Sequence, residues 1–236
     1  MTMTRPKLLL AGMSEGLSMA FAKTFAESGY DVVGVARSSR SESEASDTVT
    51  RAGGAYEHVA CDLGNPDAVT EQLGPIVDDA SVAIFNAHQL LIAPLAETEP
   101  EQYRQVWQNT CFGAYALAYT VLPAWEKRGQ GTFIVSGATA GIRGGAKFAA
   151  FASAKFALRG LTQALAREYG PRGIHVAHVI LDGLIDEPQT TRRFGQSGDG
   201  VRMSPEAIAQ SYLWLVQKER SAWTHELDLR PFNEQF

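Results

Sequence analysis

Short apolar runs alternate along this chain with longer segments whose apolar residues recur at helical spacing, and that alternation sets the expectation for its fold. Residues Lys7–Ala11, 30–36, 55–60, 81–85, 132–136, 173–181 and 225–229 read as strands. The first is continuously apolar, as a strand covered on both faces is. Met19, Phe21, Ala22 and Phe25 mark a helix after it, and 41–51 is a polar helical segment closed by Gly53 and Gly54. Further helices begin near Pro66, run over 100–125, end over 158–168 and span Pro205–Val216, the last entered through Ser204 with proline in its first turn. Seven strands interleaved with helices predict a right-handed, doubly wound parallel sheet with helices on both faces.

The turn after the first strand reads Gly12-Met13-Ser14-Glu15-Gly16-Leu17-Ser18. Glycines between a strand and a helix put backbone N–H groups and a helix N-terminus where a pyrophosphate can meet them, so Gly12, Ser14, Glu15, Gly16 and Leu17 are candidate cofactor contacts. At the end of the second strand, an acidic residue would bind the ribose 2′-OH of NAD, whereas an arginine accommodates the 2′-phosphate of NADP. Here Ala36 takes the acidic position and Arg37 follows, with Ser38, Ser39 and Arg40 as further donors, which favours NADP(H) over NAD(H). Glu15 works against that preference, because its charge repels a nearby phosphate. The plainer reading makes Arg37 and Arg40 solvated cations and Glu15 a support for the helix start.

The stretch from Phe133 to Gly160 leads from a buried run into a helix that places Phe151 and Lys155 on one face. It resembles the active-site segment of the short-chain dehydrogenase/reductase family, in which a serine ends a strand, a tyrosine follows thirteen residues later and a lysine four after that. Registered on Ala140-Gly141, the serine falls on Ala138, the tyrosine on Phe151 and the lysine on Lys155, so the cation is present and both hydroxyls are missing. The resemblance extends over nearly the whole chain. The glycine turn is similar to the family's TGxxxGxG loop, with Ala11 for the threonine and Ser18 for the last glycine. Asp62 and Leu63 fall where the family contacts adenine, the bland reading of Asp62 being a cap for the helix near Pro66. Asn86-Ala87-His88 corresponds to its NNAG segment, with Phe85 for the first asparagine and His88 for the glycine. Asn109 matches its helix asparagine, which supports a water bridging to the lysine.

The resemblance implies a Rossmann-type fold, a nicotinamide dinucleotide and a small-molecule substrate. It also implies a homotetramer or homodimer built on the long helix and the one after it, with the tail 230–236 crossing to a neighbour. Segment 187–202 would be the variable substrate lid. Lys155, Asn109, His88 and Thr139 are the candidate catalytic residues. His88 is most simply a packing residue, but it is the best-placed substitute proton donor; Thr139 lies on a loop free enough to turn a hydroxyl inward. Loss of a positioned acid forfeits about 10² to 10⁴ in rate. The expected activity is therefore reduction of a carbonyl or activated C=C substrate with a non-standard proton donor, and its rival is a catalytically degenerate or non-redox nucleotide binder.

Composition narrows this only slightly. With 236 residues and no linker, the chain reads as a single domain over 1–236, and a formal charge of -5 argues against nucleic-acid or anionic-membrane partners. The N-terminal apolar run is too short for a signal peptide or a membrane span. Cys61 and Cys111 form neither a disulfide framework nor metal-ligand spacing, and His58, His175, His178 and His225 show no ligand cluster, so a reducing cytoplasm and no metal are expected.

Overall fold

The structure, a computed structural model, describes residues 5–196, 198 and 201–233. Its centre is one seven-stranded, all-parallel sheet in the order β3-β2-β1-β4-β5-β6-β7. The strands are β1 (Lys7–Ala11), β2 (Asp31–Ala36), β3 (Tyr56–Ala60), β4 (Ala80–Phe85), β5 (Gly131–Ser136), β6 (Ile174–Leu181) and β7 (Glu226–Leu229). Between them run α1 (Leu17–Glu27), α2 (Glu42–Arg51), α3 (Pro66–Leu73), α4 (Pro100–Trp107), α5 (Gly113–Arg128), α6 (Ala149–Tyr169), α7 (Pro188–Phe194) and α8 (Pro205–Val216). The Rossmann-type, doubly wound expectation is met.

Alternation along each strand divides the core between the two faces of the sheet. Leu9, Val33 and Phe133 pack with Leu117, Trp125 and Leu158 on one side; Leu8, Leu10 and Ile134 pack with Phe21, Phe25, Ile208 and Tyr212 on the other. Trp125 also finds a partner for its indole N–H, donating to the Val77 carbonyl at 3.0 Å. The strand order reverses between β1 and β4, and in such sheets a ligand crevice opens beyond the carboxyl ends of the strands at that point. The glycine turn and the Asn86-Ala87-His88 segment both leave the sheet there.

One element departs from expectation. The helix predicted over 100–125 is broken by a π-turn at Gln108–Phe112 and then continues to Arg128. Such a turn widens the helix by one residue and frequently marks a site. Its polar side chains engage outside the helix: Gln108 donates to the Gly64 carbonyl at 2.8 Å, and Asn109 to Gln89 Oε1 at 2.6 Å. The segment expected as a lid carries its own helix, α7, within what reads in sequence as a polar, glycine-containing stretch. The last residues of the expected crossing tail, 234–236, lie outside the described residues.

Phe21 and Tyr212 join α1 to α8 through rings 4.5 Å apart, both fully buried. Phe21→Ala should therefore lose about 3–5 kcal/mol of stability in urea denaturation. A loss below about 1 kcal/mol would contradict a packed seam between those helices.

Candidate active site

At the carboxyl ends of the strands lies a cavity of about 450 Å³. The glycine turn forms its floor, and the turn's conformation follows from its glycines. Gly12 has φ +100°, and a Cβ there would stand 2.7 Å from the Ala87 Cα, so only glycine lets the β1 and β4 loops touch. The N–H groups of Gly12 and Met13 both donate to the Val35 carbonyl, at 2.9 and 2.8 Å. Ser18, fully buried, donates to the Gly12 carbonyl at 2.8 Å and accepts from Asn86 Nδ2 at 3.1 Å. The serine that replaces a glycine in the sequence pattern thus clamps the turn rather than crowding it.

Gly12, Ser14 and Leu17, then Arg37 and Ser38 after β2, then Asp62 and Leu63 after β3, then Asn86, Ala87 and His88 after β4 all line this one cavity. Asp62 does not cap α3; Asn65 does, accepting from Asp67 and Ala68, while Asp62 Oδ1 accepts from Gly64 N–H at 3.0 Å. Glu15 does not line the cavity and pairs with Arg192 of α7. Gly16, at φ +77°, lies beneath Glu187, another cavity residue.

Lys155 rises from α6 into the far wall. Only 2% of its surface is exposed, and its Nζ donates to the Ser136 carbonyl at the end of β5, at 2.8 Å. The ammonium stands 5.7 Å from the centroid of the Phe151 ring, and no carboxylate pairs with it among the described residues. Burial therefore dominates and lowers its pKa to about 7. Burial also raises the neighbouring Cys111 thiol to about 11, so no thiolate compensates the ammonium at neutral pH.

The hydroxyls that flank Ala138 in sequence are committed elsewhere. Ser136 Oγ pairs with the Tyr212 hydroxyl at 2.9 Å, and Thr139 donates to Asp182 Oδ1 at 2.6 Å. Thr139 does not line the cavity, whereas Ala138 and Phe151 present apolar surface to it. His88 faces the Phe151 ring at 6.0 Å. Its Nδ1 lies 3.3 Å from the Asn86 carbonyl, which can only accept, so Nδ1 carries the hydrogen and Nε2 is a bare acceptor. Enclosure by protein, then the Lys155 ammonium, pushes His88 down to about 4, while cavity water reaching the exposed ring screens part of that push. On either account the ring is neutral at pH 7. Asn109 lines the cavity opposite, bound to Gln89.

Glu187, Gln89, Arg193 and Phe194 are among the cavity residues that the sequence pattern does not single out. Glu187 sits just before Pro188 at the start of α7, so the proline at the first helical turn was the available signal for a lid helix. No group of three or more potential metal ligands occurs among the described residues, and no described helix is long and apolar enough to cross a membrane.

A doubly wound parallel sheet with a glycine turn at its switch point and a buried lysine facing the same cavity defines the class of the nucleotide-binding α/β proteins. Within that class the chain belongs to the short-chain dehydrogenase family, whose model, described as short chain dehydrogenase, matches residues 7–195. It is 28% identical over 229 residues, covering 92% of each chain, to a 3-oxoacyl-acyl-carrier-protein reductase of Vibrio cholerae. The crystal structure of a short-chain dehydrogenase from Rhodopseudomonas palustris shares 33% identity with a TM-score of 0.82, covering 96% of this chain and 99% of the other. A metagenomic short-chain oxidoreductase in complex with NADP has the same fold at 22% identity and a TM-score of 0.82, over 97% of this chain and 98% of that one.

The lowered pKa of Lys155 links stability to pH. The unfolded chain holds this proton from its ordinary value of 10.5 downward, but the folded chain takes it up only near 7. This group therefore costs stability progressively as pH falls across that window, and its cost is constant below it. Lys155→Met should gain stability relative to the parent as pH falls from about 10 to about 7 in urea denaturation. A pH-independent difference over that range would show that the ammonium is not held in a desolvated wall.

Proposed function

We propose that this chain is an NADP(H)-dependent reductase acting on a carbonyl or activated C=C substrate without the hydroxyl acid of its family. The observation that carries the reading is the convergence of the glycine turn, Arg37, Asp62, Leu63 and Lys155 on one cavity at the sheet's switch point. These residues fit a dinucleotide: Gly12 leaves backbone open for close approach, Arg37 with Ser38 suits a 2′-phosphate, and Asp62 with Leu63 suits the adenine. The cofactor would supply hydride. Lys155 would hold its nicotinamide ribose and lend positive charge to the wall where a substrate oxygen gains electrons. NADP in the complex of a structural neighbour is consistent with this preference.

Ala138 and Phe151 would stand where the family places its serine and tyrosine. The proton would then reach the substrate from Lys155 through water, or from solvent. Thr139 is less suited because Asp182 holds its hydroxyl, and neutral His88, with a bare Nε2, is better placed as a base than as an acid. Leu90, Leu184, Phe151 and Phe194 give the substrate end an apolar lining, which suits an acyl body like that named for the Vibrio cholerae relative. The family's assembly into dimers or tetramers would use the partly exposed row Trp107, Phe112, Tyr115 and Tyr119, whose successive rings lie 5.6 to 6.0 Å apart. The free thiols of Cys61 and Cys111 suit a reducing cytoplasm. The second reading, a nucleotide binder without redox activity, draws on Ala138 and Phe151, which bring no hydroxyl to the wall beside the ammonium.

Two experiments separate these readings. NADPH fluorescence should respond to the parent protein at micromolar concentrations, and Arg37→Ala should weaken NADPH by about tenfold while leaving NADH little changed. Equal loss for both nucleotides would remove the NADP preference. Phe151→Tyr combined with Ala138→Ser should raise carbonyl reduction by about 10² or more across a panel of ketones and 3-oxoacyl thioesters. No gain on any substrate would favour the non-redox reading.

A further inference from the structure

The N-terminus of α1 already holds an anion of the protein's own. Gly16, the residue preceding the helix, offers no side-chain cap, and Leu17 N–H instead donates to Glu187 Oε2 at 3.1 Å. That carboxylate comes from across the cavity, from the residue that opens α7. Its approach is close: a Cβ on Gly16 would lie 2.7 Å from the Glu187 Cβ, so glycine at this position admits the lid as well as the turn. A second contact between the same segments, Arg192 with Glu15, holds α7 against the turn. The charged groups acting on Glu187 are Glu15 and Arg192, of opposite sign, and burial disfavours its ionised form.

We infer that Glu187 is an internal competitor for the diphosphate of the dinucleotide, and so the residue that sets cofactor affinity and couples cofactor entry to lid position. The inference rests on the dinucleotide reading above. A helix N-terminus favours negative charge, and its first N–H groups are the ones a diphosphate would use. The Leu17 N–H is already committed to a carboxylate, and two anions crowded there repel each other. A diphosphate therefore gains this end of the helix only as Glu187 withdraws. Because Glu187 leads directly into α7, its withdrawal displaces the segment that carries Thr190, Arg193 and Phe194 into the cavity wall.

A purely structural cap predicts the opposite on substitution: lower stability and no gain in affinity. The test uses the full chain, Glu187→Gln, which keeps an acceptor for Leu17 and loses the charge, and Glu187→Ala, which loses both. NADPH affinity is read by fluorescence titration and protection of the Leu17 amide by hydrogen exchange. The expected result is NADPH bound about tenfold tighter by Glu187→Gln than by the parent. In Glu187→Ala, affinity should also rise, and the Leu17 amide, protected in the parent, should exchange faster in the absence of nucleotide. If all three proteins bind NADPH and neither variant binds it more tightly, the competitor role is overturned while the dinucleotide reading stands. If none binds NADPH or NADH, the dinucleotide reading itself falls and takes this inference with it.

Discussion

The contact between the Lys155 ammonium and the Ser136 carbonyl fixes the rest of the site. It ties α6, the longest helix at 21 residues, to the carboxyl end of β5 at the point where the chain turns out of the sheet. An ammonium largely withdrawn from water without a carboxylate partner is costly, and the protein offsets that cost in other ways. A backbone carbonyl accepts its hydrogen bond, the Phe151 ring lies near it, and desolvation lowers its proton affinity. Arg159 anchors the next turns of the same helix face, pairing with Glu226 of β7 through two contacts of 2.7 Å. With α6 held at both places, Phe151 has little freedom to leave the cavity wall.

Against that wall stands a floor of a different kind. The glycine turn is pinned by backbone bonds to Val35 and by the Ser18 hydroxyl, and Gly12 touches the β4 loop without a side chain between. Floor and wall are extensions of the sheet and inherit its rigidity. The segment around α7 is attached by polar and charged contacts instead: Glu187 to Leu17, Arg192 to Glu15, and, at its far end, Arg202 to Asp186. Contacts of that sort exchange more readily with ligand and solvent than buried apolar packing does. The cavity is therefore stiff where a nucleotide would lie and adjustable where a substrate would enter.

This division also explains what was legible in the sequence. Apolar runs and helical spacing report burial, and burial is what the sheet and its two layers consist of, so the strands and the helices flanking them could be read within about a residue or two at each end. Gly12, Arg37, Asp62 and Lys155 were legible because each follows a strand or lies on a helix whose place was already known. The π-turn at Gln108–Phe112 was not, since its cause is a set of distant partners, Gly64 and Gln89, that no local pattern announces. Glu187 escaped for the same reason: its partner is 170 residues away. Sequence proximity offers Glu15 as a cofactor contact or a support for the helix start, whereas tertiary structure gives the helix start to Glu187 and turns Glu15 toward Arg192.

Phe151 and Ala138 make physical sense as a pair. Phe151 belongs to a small apolar cluster with Val106, Ala140, Ala150, Ala152 and Ala154, against which Leu90, Leu91, Ala138 and Phe148 pack. A hydroxyl introduced at either position would face the cavity beside the ammonium, with the apolar cluster behind it. With Phe151 and Ala138 in place, the wall closes on carbon and the Lys155 ammonium keeps the Ser136 carbonyl as its partner. The consequence for chemistry is directional. On the proposed reading, charge developing on a substrate oxygen would be met by the Lys155 cation without a hydroxyl from Ala138 or Phe151, which suits reactions that place negative charge far from the point of protonation. A conjugated C=C bond does this, because its carbonyl oxygen carries the charge while carbon takes the proton; a simple ketone needs both functions at one oxygen.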